Sequence, residues 1–203
     1  MFWPSPAWDD VTYWALDLET GGLDPARDPI LAVGMLPIRR GVIRLAERYE
    51  SLVRPPAAES ITPDSVRAHQ LVPRDVREAP PLTDVLREIH ARLCEGDAAV
   101  LLVHQAAIDV RFLRQAYRAS PLRWPRPPVV DTVDLIVRAA KKARFIDPDA
   151  QQREPDLNLS RARRQLGLPD YGAHDALTDA IATAELFLVL RRVLGARTLR
   201  DLR

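Results

Sequence analysis

The sequence predicts an α/β domain built on one mixed β-sheet flanked by helices, a three-strand antiparallel meander followed by parallel strands. Two observations carry that expectation. Residues 11–53 read as three successive strands separated by turn signals, and from residue 82 onward strand-length apolar runs alternate with segments of helical periodicity. With 203 residues and 47% hydrophobic content, the chain has the size of one globular domain and can bury a substantial core.

Taken in order, residues 11–18 form a short β-branched and apolar run, and 30–38 and 42–53 follow it, the last two separated by Arg40-Gly41. Residues 55–81 carry prolines and read as irregular apart from one helical turn near 64–69. Leu82, Val85, Leu86, Ile89 and Leu93 recur at helical spacing, which predicts a helix over 82–93. Residues 98–103 are continuously apolar, as suits a strand buried on both faces, and Ile108, Phe112, Leu113 and Ala116 return to the helical period. A proline-rich connection over 121–128 leads to a short strand at Val129-Val130, then to Asp131-Thr132 as the cap of a helix carrying Leu135, Ile136 and Ala139. Residues 145–155 are expected to be a mobile loop. A helix over 159–166 is stopped by Gly167, and a long helix over 176–194 carries Leu177, Ile181, Ala184 and Leu188 on one stripe. The expected organisation is an N-terminal extension over 1–10, one domain over 11–195 and a short tail over 196–203. Trp3 and Trp8 in the extension suit either packing or a partner contact.

The charge balance, 29 basic against 28 acidic residues, excludes a globally polycationic nucleic-acid binder, so any such surface is local. Arg138, Lys141, Lys142 and Arg144 form one basic cluster and Arg161, Arg163 and Arg164 another; each reads equally as a solvated helix face or as a neighbour of a phosphate chain. The single cysteine, Cys94, excludes an intramolecular disulfide and a cysteine-rich metal site. No segment approaches the roughly 20 apolar residues of a membrane span, and residues 1–10 lack a basic region followed by an apolar stretch. A soluble, cytoplasmic protein without a membrane partner is expected.

Three groups of residues have chemistry to offer. Asp17-Leu18-Glu19 ends the first strand, where side chains two apart share a face. Leu16 and Leu18 then face the core while the two carboxylates stand together, an arrangement costly without a cation and relieved by a hard divalent metal. An ordinary polar strand edge accounts for the same three residues. Asp109 falls in the first turn of the helix after the buried strand, where ligands collect in α/β sheets and where a carboxylate also suits the helix dipole without any metal. His174 precedes the long last helix and Asp179 rides in its first turns, with Asp175 read as the cap.

These residues fall into three ordered motifs: Asp17-Leu18-Glu19-Thr20-Gly21-Gly22-Leu23, then His104-Gln105-Ala106-Ala107-Ile108-Asp109 with Phe112-Leu113 behind it, then His174-Asp175-Ala176-Leu177-Thr178-Asp179-Ala180. Together they resemble the DnaQ-like (DEDDh) 3′–5′ exonucleases of the ribonuclease H-like superfamily, from about residue 11 to 194. Leu52-Val53-Arg54-Pro55, His69 and Asp131-Thr132 extend the likeness. Two positions depart from it, Gln105 where the family usually has Asn and Gly21 where a second Thr is common.

The resemblance implies that Asp17, Glu19, Asp109 and Asp179 hold two divalent ions, Mg²⁺ or Mn²⁺, and that His174 is the general base for the attacking water. It further implies that the backbone of Thr20, Gly21 and Gly22 and the side chain of Leu23 receive the terminal nucleotide. His104, Gln105 and Phe112 are lesser substrate-binding candidates; His104 also suits a strand cap and Phe112 the core. The implied partner is a nucleic-acid strand with a 3′ end, single-stranded and DNA in preference to RNA, in repair or proofreading. The rival readings are a subunit docked to a DNA polymerase and a non-catalytic nucleic-acid-binding module. No phosphate-binding Gly-x-x-x-x-Gly-Lys loop, Gly-x-Ser-x-Gly elbow or zinc-helix histidine pair is present.

Overall fold

Strict alternation along the first strand organises the domain. In β1 (Thr12–Thr20), Tyr13 and Ala15 point to one face of a sheet while Trp14, Leu16 and Leu18 point to the other, and both faces are buried. The computed structural model describes residues 5–56, 66–67, 70–96, 99–146, 154–172 and 175–203. His69, His174, Trp3, residues 147–153 of the expected loop and most of the expected turn near 64–69 lie outside the described residues.

β1 pairs antiparallel with β2 (Ile30–Arg39), which pairs antiparallel with β3 (Val42–Ile43) and β4 (Tyr49–Leu52). Along its other edge β1 runs parallel to β5 (Ala99–Val103), and β5 runs parallel to β6 (Val129–Asp131). The mixed sheet is therefore the expected one, with one correction. The third strand is broken: β3 ends at Ile43, and Leu45–Glu47 form a 3₁₀ turn before β4 begins. Ile38 faces Ile43 while Met35 faces Tyr49, so the chain between them loops out of register. The segment Arg44-Leu45-Ala46-Glu47-Arg48 holds helix formers and no β-branched residue, and the Arg39 guanidinium draws Glu47 across at 2.9 Å. Arg40 and Gly41 close the β2–β3 hairpin at φ 51° and 72°, the positive values a two-residue turn of this hand needs.

The irregular segment contains one unexpected turn, α1 (Pro73–Val76), opened by Pro73 and by the Asp75 carboxylate accepting from the Val72 amide. α2 (Leu82–Leu93) and α3 (Ala106–Arg118) cover the Trp14, Leu16 and Leu18 face, burying Val85, Leu86, Ile89, Phe112 and Leu113 there. α4 (Thr132–Ile146) continues through Phe145 and Ile146, so the expected loop over 145–155 begins two residues later. α5 (Leu159–Gln165) stops before Gly167, at φ 73°, and α6 (Ala176–Leu194) ends at the left-handed Gly195.

α6 packs on the Tyr13 and Ala15 face, with the Tyr13 and Phe187 rings 4.6 Å apart. Its expected stripe is rotated. Ala184 of that stripe is fully buried, but Leu177, Ile181 and Leu188 are only half-buried, whereas Ala180, Leu186, Phe187 and Leu190 are fully buried, because the sheet covers one side of the helix and α4 and α5 another. Chain ends meet as well: Trp8 donates its amide to Arg197, Leu199 donates to Pro6, and Arg191 stacks 4.1 Å over the Trp8 ring. Much of the two basic clusters is committed within the fold. Lys142 donates to the Val193 and Leu194 carbonyls that end α6, and Arg161 and Arg164 pair with Asp156 and Asp170. Arg163 is 2% exposed.

Candidate active site

β1 outruns its parallel neighbour. Its ladder with β5 ends at Ala15–Leu102, while its ladder with β2 continues to Thr20, so the last residues of β1 border an opening at the carboxyl end of the parallel strands. Asp17 and Glu19 stand there on the Tyr13 and Ala15 face, beneath the start of α6. Asp175 caps that helix, its carboxylate accepting from the Thr178 amide at 2.9 Å, and Asp179 sits in the first turn.

What brings α6 down to the carboxylates is Gly34, directly opposite Asp17 in the β1–β2 ladder. A Cβ at Gly34 would lie 2.2 Å from the Leu177 nitrogen and 2.3 Å from the Ala176 carbonyl carbon, so the helix backbone rests on a position only glycine can fill. Carboxylate oxygens of Asp17, Glu19 and Asp179 thereby come within 4.8 Å of one another.

Asp109 reaches the same region from the other face. It lies in the first turn of α3, 4% exposed, where the backbone amides of Asp109 itself and of Leu18, beyond the end of the β1–β5 ladder, favour its charged form. It adjoins the three-carboxylate group rather than joining it. Burial, followed by the charges of Asp109, Asp179, Glu19 and Asp175, holds Asp17 well above the ordinary carboxylate range. Burial and the charges of Asp179 and Asp175 push Glu19 up to about 7. Burial raises Asp109 as well, against the two amides that lower it.

The chain matches the RNase_T exonuclease family over residues 14–187. It belongs to that exonuclease family. It is 32% identical over 194 residues to a DNA polymerase III subunit epsilon-like protein of Rhodobacter capsulatus, covering 94% of this chain and 25% of that protein. It is 29% identical over 180 residues to the PolC-type DNA polymerase III of Thermotoga maritima, covering 88% of this chain and 12% of that one. The chain thus spans a quarter or less of these relatives' lengths. Among solved structures, Escherichia coli exonuclease I in complex with a dT13 oligonucleotide superposes with a TM-score of 0.74 at 19% identity, over 91% of this chain and 42% of that one. The fold is ribonuclease H-like.

Against that family, the two departures have distinct settings. Gln105 is left-handed, at φ 74°, immediately before α3. Asn tolerates that conformation better than Gln does, which gives the family's usual residue a backbone reason. Asp131 holds the turn, accepting from the amides of Gln105, Ala106 and Val133 at 2.9, 2.7 and 2.9 Å, so one carboxylate caps both α3 and α4. Gly21 donates its amide to the Pro29 carbonyl at 2.8 Å, so that amide points into the turn. The Asp28 carboxylate crowds Gly22, where a Cβ would lie 2.3 Å from its oxygen, and the Thr20 hydroxyl donates to the Gly22 carbonyl at 2.7 Å. Leu23 is 78% exposed.

The second-motif residues divide. The two ring nitrogens of His104 lie 2.7 Å from the Thr132 hydroxyl and 2.8 Å from the Leu157 carbonyl. A neutral ring donating from Nε2 accepts at Nδ1 from the Thr132 hydroxyl, whose single proton is shared with the Val103 carbonyl at 3.3 Å, and burial lowers the ring's pKa. His104 is therefore a clip joining the end of β5, the start of α4 and the chain before α5. Phe112 is buried in the core cluster that holds Trp14 and Leu16 and also lines a cleft of about 360 Å³ with Pro25, Ile30 and Val53.

The donor set fits hard divalent cations. Asp17, Glu19 and Asp179 offer only carboxylate oxygens, and among the described residues neither Asp17 nor Glu19 has a basic partner to offset its charge. Motif spacing identifies Asp131 as a cap but gives no sign that it also holds the Gln105 turn, and it does not single out Gly34. A glycine within an otherwise bulky strand was the available sign of Gly34, as a point of close backbone approach.

Proposed function

We propose that the chain hydrolyses phosphodiester bonds at the 3′ end of a nucleic-acid strand, single-stranded DNA in preference to RNA. The observation carrying this reading is the convergence of Asp17, Glu19 and Asp179 at the open end of β1, with no cationic side chain beside the first two among the described residues. Membership of the exonuclease family and the fold shared with a DNA-bound exonuclease I support it. These carboxylates and Asp109 would hold two divalent ions, Mg²⁺ or Mn²⁺, whose charge supplies what phosphate hydrolysis needs, a stronger nucleophile at neutral pH and neutralisation of the leaving oxygen. Asp109 would complete the set from the first turn of α3, next to the backbone of Leu18. His174, one residue before the Asp175 cap in sequence, is proposed as the general base, taking the proton of the attacking water. Exposed Leu23 is proposed to wedge against the terminal nucleotide.

The similarity to a polymerase III epsilon-like protein and to a PolC-type DNA polymerase III favours a second setting for the same chemistry, proofreading within a larger protein or assembly. The test incubates the purified chain with 3′- and 5′-labelled single-stranded DNA and RNA under magnesium, manganese or chelator, beside Asp17→Ala and His174→Ala. Shortening from the 3′ end, abolished by chelator and Asp17→Ala and slowed in kcat by His174→Ala, is expected. Intact substrate under both metals rejects the proposal in favour of a binding module. Preferential removal of a mismatched end from a primed template selects the proofreading setting.

A further inference from the structure

Between Asp109 and Asp131 the chain holds five arginines and not one carboxylate. Arg111, Arg114 and Arg118 stand on one exposed face of α3 at the 3-4 spacing of helical neighbours, and Arg123 and Arg126 are exposed on the proline-rich connection that follows. Among the described residues none of the five forms an ion pair or a side-chain hydrogen bond, whereas Arg39, Arg92, Arg161, Arg163 and Arg164 all pair with carboxylates. Unpaired like charges gathered on one surface repel one another, so such a gathering fits an anionic ligand.

The place is also shaped. Arg114, Arg118, Arg126, Tyr117, Trp124 and Pro127 enclose a depression of about 480 Å³. Trp124 is half-buried and packs edge-on against the core ring of Tyr117 at 5.0 Å. Arg126 is held at φ 55°, a value uncommon for a residue with a side chain, between Pro125 and Pro127. Prolines at 121, 125, 127 and 128 and the hydrogen bond from Leu101 to the Pro128 carbonyl stiffen the connection, so little ordering is left for a ligand to impose.

We propose that Arg111, Arg114, Arg118, Arg126 and Trp124 form a second nucleic-acid contact, which holds a single strand some nucleotides away from the end bound at the carboxylates. The inference rests on the exonuclease reading for the placement of that end. α3 connects the two: Asp109 is in its first turn and Arg118 is its last residue, about 13 Å farther along the helix axis at the usual rise. Arginines address successive phosphates and the tryptophan offers a sequence-tolerant stacking surface, the pairing that single strands use. An acidic protein segment would satisfy the arginines but leave the ring unused.

Fluorescence anisotropy in chelator, where no strand is cut, separates this contact from catalysis. Labelled oligo-dT of 20 and of 4 nucleotides is titrated with the full chain, with Arg114→Ala/Arg118→Ala/Arg126→Ala and with Trp124→Leu, over a salt series, each variant first matched to the parent in melting temperature. The expected result is an affinity loss of at least about tenfold for the 20-mer in both variants, a salt dependence shallower by about two in the triple variant, and a much smaller loss for the 4-mer. Unchanged 20-mer affinity, or equal losses for both lengths, overturns the proposal. So does polyglutamate that competes with the 20-mer at equal charge, which assigns the patch to an acidic protein. Failure of the exonuclease reading appears separately, as an intact 20-mer when the parent chain is given magnesium.

Discussion

Gly34 lies opposite Asp17 across the β1–β2 ladder, and the α6 backbone at Ala176 and Leu177 occupies the space a Gly34 side chain would need. The seat of the helix and the position of the carboxylates are thus one constraint. Gly34→Ala must lift the first turn of α6, and Asp179 moves with it, so the distances among Asp17, Glu19 and Asp179 open. We predict a destabilisation of about 1–3 kcal/mol from overpacking and a fall in kcat/KM of roughly a hundredfold. Thermal melting and initial rates on a labelled strand check it. A variant that melts lower yet cleaves at the parent rate would separate the helix seat from the site.

Proton linkage gives a second prediction. Asp17, Glu19 and Asp109 have folded pKa values raised above their unfolded ones, Glu19 to about 7. Between the ordinary carboxylate range and these values the folded chain holds protons that the unfolded chain has lost. The stability of the metal-free chain therefore falls as pH rises through that window, and is fully present only below it. Divalent ions take the protons' place, so the rise in Tm on adding saturating Mn²⁺ should grow between about pH 6 and pH 8, with protons released on binding. Calorimetry in buffers of different ionisation enthalpy measures the release. An increment independent of pH contradicts the coupling of the three carboxylates.

Much of this was legible in the sequence because it is local. Alternation in β1 places Asp17 and Glu19 on one face, the period of α2 and the cap and stop of α6 fix those helices, and Asp131 reads as a cap from its neighbours alone. What was not legible depends on partners distant in sequence. Gly34 matters only because α6 returns to it, and the stripe of α6 rotates because α4 and α5 cover a side that a lone amphipathic helix would leave wet. Arg163 reads as one member of a solvated basic run until Glu185 and Tyr171 arrive to enclose it. The break in the third strand is intermediate: its helix-forming residues are visible, but the looping-out is set by Arg39 reaching Glu47.

Gln105 offers a test of the left-handed turn. Its φ of 74° is fixed by Asp131 accepting from the Gln105 and Ala106 amides, and no side-chain hydrogen bond caps α3 from within this residue. Gln105→Asn should relieve part of the backbone cost and raise stability by roughly 0.5–1 kcal/mol, with Gln105→Gly gaining less because its unfolded chain is freer. Chemical denaturation of the metal-free chain reads this directly. A loss of stability in the Asn variant would mean that the longer amide contributes a contact worth more than the backbone strain.

The final prediction concerns Arg163, whose guanidinium is buried beneath α6. It donates to the Ala182 carbonyl at 2.7 Å, to the Pro169 carbonyl at 3.0 Å and to Glu185 at 2.8 Å, and it stacks 4.6 Å from the Tyr171 ring, whose hydroxyl donates to the other Glu185 oxygen at 2.9 Å. This network ties α5, α6 and the chain ahead of Asp175 together. Removing one partner leaves the remaining groups unsatisfied, so Arg163→Met should cost about 3–5 kcal/mol, with the lower end expected because Glu185 stays 29% exposed and can be rehydrated. Arg163→Lys keeps the charge but not the fork, and should recover less than half of that loss. In the double variant Arg163→Met/Glu185→Leu the stranded carboxylate is gone, and stability should exceed that of Arg163→Met alone. With Glu185→Leu alone measured beside the parent, Arg163→Met and the double variant, denaturation midpoints close the cycle, and additive losses would mean that the arginine stabilises through its carbonyl contacts and packing rather than through the ion pair.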